Sequence, residues 1–126
     1  MKKIMVVDDE PDQIYVVSKI LENSDMDVKV VGAIGGKACF KILEQEDNPD
    51  LILLDIMMPD MSGWDVLDRL QKSDSPWKNI RVVFFTACSE EIEKNGSNYT
   101  DEDFIRKPFN RNDLKERITK ILKNVS

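Results

Sequence analysis

Five short apolar runs alternate along the chain with longer stretches in which apolar residues recur every three or four positions. The runs are Ile4-Met5-Val6-Val7, Val28 to Ile34 with Lys29 and Gly32 interposed, Leu51-Ile52-Leu53-Leu54, Ile80-Arg81-Val82-Val83-Phe84-Phe85, and the weaker Phe104-Ile105. They are nearly continuous rather than alternating with polar residues, which predicts strands covered on both faces. Ile14, Val17, Ile20 and Leu21 mark a first helix, with Pro11 suited to its opening turn. Ala38, Ile42 and Leu43 mark a second, after Gly35-Gly36. Trp64, Leu67 and Leu70 mark a third, with Ser62 and Asp65 spaced for a capping box. Ser89 to Asn98 has Ile92 as its one aliphatic residue and predicts a short or loosely held helix. Leu114, Ile118, Ile121, Leu122 and Val125 mark the last helix. Strands alternating with helices imply repeated βαβ units, hence an α/β fold with a doubly wound, five-stranded parallel sheet and five helices. In such folds ligands bind in the crevice at the carboxyl ends of the strands.

The polar residues at those ends change the picture. The first run ends in Asp8-Asp9-Glu10, the third in Asp55 and the fourth in Thr86, and the fifth is followed by Lys107-Pro108. Singly, each has an ordinary reading: a helix cap, a turn residue or a solvated loop charge. Together they place three carboxylates, a hydroxyl and an ammonium at one sheet edge. Clustered carboxylates repel one another and call for a compensating cation. Several oxygens with one lysine suit a hard divalent ion such as Mg²⁺, with Mn²⁺ as a substitute. A carboxylate beside that ion and a lysine is a plausible phosphoryl acceptor.

Composition narrows the classes. The 126 residues fit one domain, here taken as 1–126. A net charge of −6 argues against a nucleic-acid or anionic membrane surface. The chain has no histidine, which removes histidine triads and phosphohistidine chemistry from it. Cys39 and Cys88 lack metal-ligand spacing and fit a reducing compartment. After Met1-Lys2-Lys3 the first apolar run is far too short for a signal peptide or a membrane span, so a cytoplasmic protein is expected.

These motifs resemble the receiver domain of two-component response regulators. The resemblance rests on Val6-Val7-Asp8-Asp9-Glu10, Leu53-Leu54-Asp55-Ile56-Met57-Met58-Pro59, Gly63, Thr86-Ala87 and Phe104-Ile105-Arg106-Lys107-Pro108-Phe109, and it runs from about Lys3 to the last helix. It implies the strand order 2-1-3-4-5 of CheY-like and flavodoxin-like folds. It implies Asp55 as phosphoryl acceptor, Mg²⁺ held by Asp9, Asp55 and the backbone carbonyl of Met57, and Asp8 acting largely through water. Lys107 would pair with the phosphoryl oxygens, Thr86 and the Ala87 N–H would bind the phosphoryl group, and Phe104 would be the switch aromatic. Lys107-Pro108 is a cis-peptide candidate. The expected donor is a histidine kinase or phosphotransfer protein. The expected chemistry is confined to the domain's own phosphorylation and dephosphorylation, so it is not an enzyme in the wider sense.

On this view Thr86 moves toward the phosphoryl group, Phe104 turns into the space it leaves, and the face of the fourth helix, fifth strand and fifth helix changes for an output partner. The side chains of Met57 and Cys88, which flank the site, are poor at positioning water, so slow self-dephosphorylation is expected. The chain departs from the family pattern at Tyr99-Thr100-Asp101-Glu102-Asp103 and at Asn95-Gly96, both on the output face. A monomer or weak dimer is expected, as a stand-alone receiver or a piece of a larger regulator. A haloacid-dehalogenase-type phosphatase lacks its D-x-D motif and cap domain here. A Rossmann or flavin module lacks its phosphate loop. A never-phosphorylated pseudo-receiver, acting only as an interaction module, is the remaining alternative.

Overall fold

The computed structural model describes residues 1–86 and 103–124, with Thr86 described by its backbone. The elements in chain order are β1 (Lys2–Asp8), α1 (Pro11–Glu22), β2 (Val28–Ile34), α2 (Gly36–Gln45), β3 (Leu51–Leu54), α3 (Gly63–Leu70), β4 (Arg81–Thr86), β5 (Phe104–Arg106) and α4 (Arg111–Lys123). The strands form one sheet in the order β2-β1-β3-β4-β5. Every neighbouring pair is parallel. The expected helix at Ser89–Asn98 lies outside the described residues, as do Ala87, Cys88 and Val125.

The continuous apolar runs follow from burial on two faces. Along β1, Ile4 and Val6 enter one core, with Leu51, Leu53, Val83, Phe85 and Ile105 from the other strands. Val17, Ile20 and Leu21 of α1 and Leu114, Ile118 and Leu122 of α4 cover that face. Met5 and Val7 enter the opposite core, with Ile52, Leu54, Phe84 and Phe104, under Phe40 and Leu43 of α2 and Val66, Leu67 and Leu70 of α3. Each fully buried aliphatic or aromatic side chain contributes roughly 1.5–3 kcal/mol of transfer free energy. β2 lies at the sheet edge and buries only Val28 and Ala33. Gly32 lets α1 approach this strand: a Cβ there would lie 2.6 Å from Ile14 Cγ2.

Local signals set the helix starts. Pro11 occupies the first turn of α1. The Ser62–Asp65 capping box opens α3, with Asp65 N–H donating to Ser62 Oγ at 3.1 Å and Ser62 N–H donating to Asp65 Oδ2 at 3.3 Å. Asn110 caps α4 by accepting from the Asn112 and Asp113 N–H groups. The buried stripe of α2 is rotated from the Ala38–Ile42–Leu43 expectation. Cys39, Phe40 and Leu43 are its deepest side chains, and Ala38 and Ile42 sit at the margin. The reason lies off the helix: Phe40 meets Trp77 at 5.6 Å between ring centroids, and the Arg69 guanidinium lies 4.0 Å above the Phe40 ring. Trp64 likewise packs at the core margin, tilted on Phe84, while Val66 is fully buried.

Candidate acidic site at the carboxyl edge of the sheet

Register brings the site together. Val7 pairs with Leu54, and Leu54 with Phe84. Asp8 and Asp55 therefore emerge side by side where β1 and β3 end. Asp55 N–H donates to the Val7 carbonyl at 2.9 Å, which fixes that level. Lys107 arrives from the turn after β5, through the cis Lys107–Pro108 peptide.

Asp8 is wholly buried. Its Oδ1 accepts the Glu10 N–H at 3.0 Å and its Oδ2 accepts Lys107 Nζ at 2.9 Å. Asp55 is 7% exposed and lies farther from the ammonium, with Oδ2 3.7 Å from Lys107 Nζ. Burial pushes the Asp55 carboxyl up from 3.8 to about 6. Lys107 works against that rise, Asp8 adds to it, the Met57 N–H works against it, and Asp9 adds to it. The Lys107 ammonium also lies 4.9 Å from the centroid of the Phe85 ring. It is thus held between two carboxylates and an aromatic face.

Asp8, Asp9 and Asp55 each present an oxygen within 4.8 Å of the others, with Asp9 at the partly exposed rim. Three carboxylates against one ammonium leave two negative charges uncompensated when all are ionised. This donor set is hard, all-oxygen and open to water on one side, which fits Mg²⁺. Met57 is exposed beside it.

The loop from β3 to α3 is tightly closed. Gly63 N–H donates to the Ile56 carbonyl at 2.7 Å. A Cβ on Gly63 would lie 2.8 Å from Ile56 Cα and collide with the Asp55 carbonyl oxygen. A glycine there lets α3 start directly against the Asp55 backbone.

Residues 4–119 match the family profile described as the response regulator receiver domain. The chain belongs to that family. This receiver domain is 34% identical over 123 residues to the alkaline phosphatase synthesis transcriptional regulatory protein PhoP of Bacillus subtilis, covering 97% of this chain and 49% of PhoP. It is 33% identical over 126 residues to the hybrid signal transduction histidine kinase L of Dictyostelium discoideum, covering 97% of this chain and 7% of that protein. The response regulator TrrA of Thermotoga maritima, solved in complex with Mg²⁺-BeF, superposes with a TM-score of 0.79 at 31% identity, covering 96% of this chain and 99% of TrrA. The receiver domain spans about half the length of the first curated relatives it matches. It is a two-component signalling module with the strand order that the resemblance implied.

The site residues named from sequence fall into two groups. Asp8, Asp9, Asp55 and Lys107 converge, with Met57 adjoining them. Thr86 ends β4, paired with Arg106 of β5. Phe104 stands apart, buried in the core beneath α3 and stacked on Phe84 at 5.4 Å between centroids. Its ring is buried in this structure. The stack with Phe84 accounts for the inward position. Sequence reasoning did not single out Phe85 under Lys107, or Asp60 in the loop beyond Met57. Cys39 is buried, and desolvation pushes its thiol up to about 12, with nearby Arg69 working downward, so it is inert. Among the described residues, no helix is long and apolar enough to cross a membrane.

Proposed function

We propose that Asp55 accepts a phosphoryl group from a histidine kinase or phosphotransfer protein, and that its aspartyl phosphate is the signalling state. Asp55 itself carries the reading. It is nearly stripped of water, raised to about 6 by burial, and set among Asp8, Asp9 and Lys107. Asp8 holds the Lys107 ammonium at 2.9 Å, whereas Asp55 stands 3.7 Å from it.

An Asp55 carboxylate oxygen forms the new bond to phosphorus as the donor's bond breaks and the donor leaves with that electron pair. Asp9, Asp55 and the Met57 carbonyl would hold Mg²⁺ directly, and Asp8 through water. The bound ion supplies positive charge for the phosphoryl oxygens. Asp8 keeps Lys107 at the crevice, and the ammonium then transfers its pairing to a phosphoryl oxygen. Thr86 and the Ala87 N–H would bind the remaining oxygens. Phosphorylation would draw Thr86 toward the phosphoryl group and stabilise the Phe104 ring in its buried position against Phe84. The altered face then recruits an output partner, and the reading carries a cytoplasmic location with it.

Incubation with acetyl phosphate or phosphoramidate and Mg²⁺, followed by intact mass, tests the proposal. One added phosphoryl mass is expected, absent in Asp55→Asn. No added mass with several donors would sink it and leave an interaction module. The phosphoryl group is expected to decay slowly in purified protein, because the Met57 and Cys88 side chains do not orient water. Thr86→Ala is expected to accept the group yet leave the Phe104 ring resonances unmoved; a full shift in that variant would refute the coupling.

A further inference from the structure

The start of α2 has no cap of its own. Its N-cap is Gly35, at φ +93°, with no side chain to accept a hydrogen bond. Helices leave their first N–H groups without intrahelical partners, and Ser, Thr, Asp or Asn at this position normally accepts one. Here the acceptor comes from 24 residues away: Asp60 Oδ1 takes the Gly36 N–H at 3.3 Å. Asp60 Oδ2 takes the Lys37 N–H at 3.1 Å, and Oδ1 also takes the Met61 N–H at 2.9 Å. The fit is close, since a Cβ on Gly35 would lie 2.8 Å from Asp60 Oδ2. Desolvation acts upward on the Asp60 carboxyl, and the Lys37, Gly36 and Met61 N–H groups together overcome it, holding it below the usual range.

Asp60 belongs to the loop that leaves Asp55, three residues past Met57. The corner it grips is itself tied to the site, because Gly35 N–H donates to the Asp8 carbonyl at 3.1 Å. The loop is therefore held at two points: the Gly63–Ile56 hydrogen bond at its neck and Asp60 at its outer turn. We propose that Asp60 is a positioning residue, whose carboxylate caps α2 in place of the missing side chain at Gly35 and so holds the Met57 carbonyl in place for the divalent ion. The proposal rests on the reading of Asp55, Asp9 and Met57 as that ion's ligands. Exposure of Asp60 does not remove this role: water can replace its hydrogen bonds, but water cannot tether two loops.

The test is titration of the full chain with MgCl₂, followed by amide NMR at Gly36, Lys37, Met57 and Met61, for the native sequence, Asp60→Ala, Asp60→Asn and Ile118→Val. Asp60→Ala is expected to raise the Mg²⁺ dissociation constant roughly 10-fold, the lower end of what losing an outer partner costs. Asp60→Asn keeps one acceptor oxygen and loses the other, so its constant should fall between those of the native sequence and Asp60→Ala. Ile118→Val destabilises the far core without touching the loop and should leave the constant unchanged. Equal weakening in Asp60→Ala and Ile118→Val, or no weakening in Asp60→Ala, would overturn the positioning role. Absence of a saturable Mg²⁺ response in the native sequence would overturn this role together with the ligand assignment, and that outcome is recognisable because the native sequence itself fails.

Discussion

Replacing Asp55 by Asn should stabilise the metal-free protein, and by an amount set by pH. The carboxyl is raised from 3.8 to about 6 in the folded chain, chiefly by burial. An acid whose folded pKa is raised favours the folded state only while it is protonated. Its contribution is intact below 3.8 and is lost as pH climbs through about 6. At about 1.4 kcal/mol per tenfold change in acid constant, ionised Asp55 costs about 3 kcal/mol above pH 7 and about 1 kcal/mol at pH 4.5. Asn has nearly the same shape, can still accept the Met57 N–H, and relieves the repulsion from Asp8 and Asp9. Urea unfolding of both proteins in chelator, followed by circular dichroism, should show the Asp55→Asn variant gaining about 3 kcal/mol at pH 7.5 and about 1 kcal/mol at pH 4.5, with equal m-values. Adding Mg²⁺ at about 100 times its dissociation constant should return about 2.7 kcal/mol to the native sequence and nearly close the gap. A substitution that destabilises the protein, or a gap that is flat from pH 4.5 to 7.5, would refute the reasoning.

Lys107→Met removes the ammonium from fully buried Asp8, and without metal should cost about 3 kcal/mol at pH 7.5, as breaking a buried pair does; an unchanged urea midpoint would count against the pairing. Gly63→Ala forces a methyl group into the Asp55–Ile56 backbone and should cost about 2 kcal/mol by denaturant titration. Its failure to destabilise would mean that the loop has room to open. Ser62→Ala removes one half of the capping box and should cost about 1 kcal/mol, with α3 amides exchanging faster in hydrogen-exchange NMR; unaltered exchange would show that the box is ornamental.

The strands and helices were legible because burial on both faces of a parallel sheet leaves a direct mark in sequence. Ile4 to Val7 are apolar without alternation because odd and even positions enter different cores. Ser62, Asp65 and Pro11 announced helix starts through local chemistry alone. The acidic site was legible because each member closes a strand, and a parallel sheet gathers such ends at one edge. Less could be read of α2, whose orientation depends on Trp77 and Arg69, side chains from elsewhere in the chain. The inward Phe104 ring was equally hidden, since its place depends on Phe84 across the strand pair.

Residue order alone was enough to settle which side chains can carry charge to the sheet edge, and which runs must be buried on both faces. Those properties depend on side-chain type and on spacing within one element. Folding was needed to set Lys107 at 2.9 Å from Asp8 but 3.7 Å from Asp55, and to bury Asp55 so that its carboxyl is pushed up to about 6. Folding also made Asp60 the cap of a helix it does not belong to. Both depend on distances between loops remote in sequence, and no local pattern records such a distance.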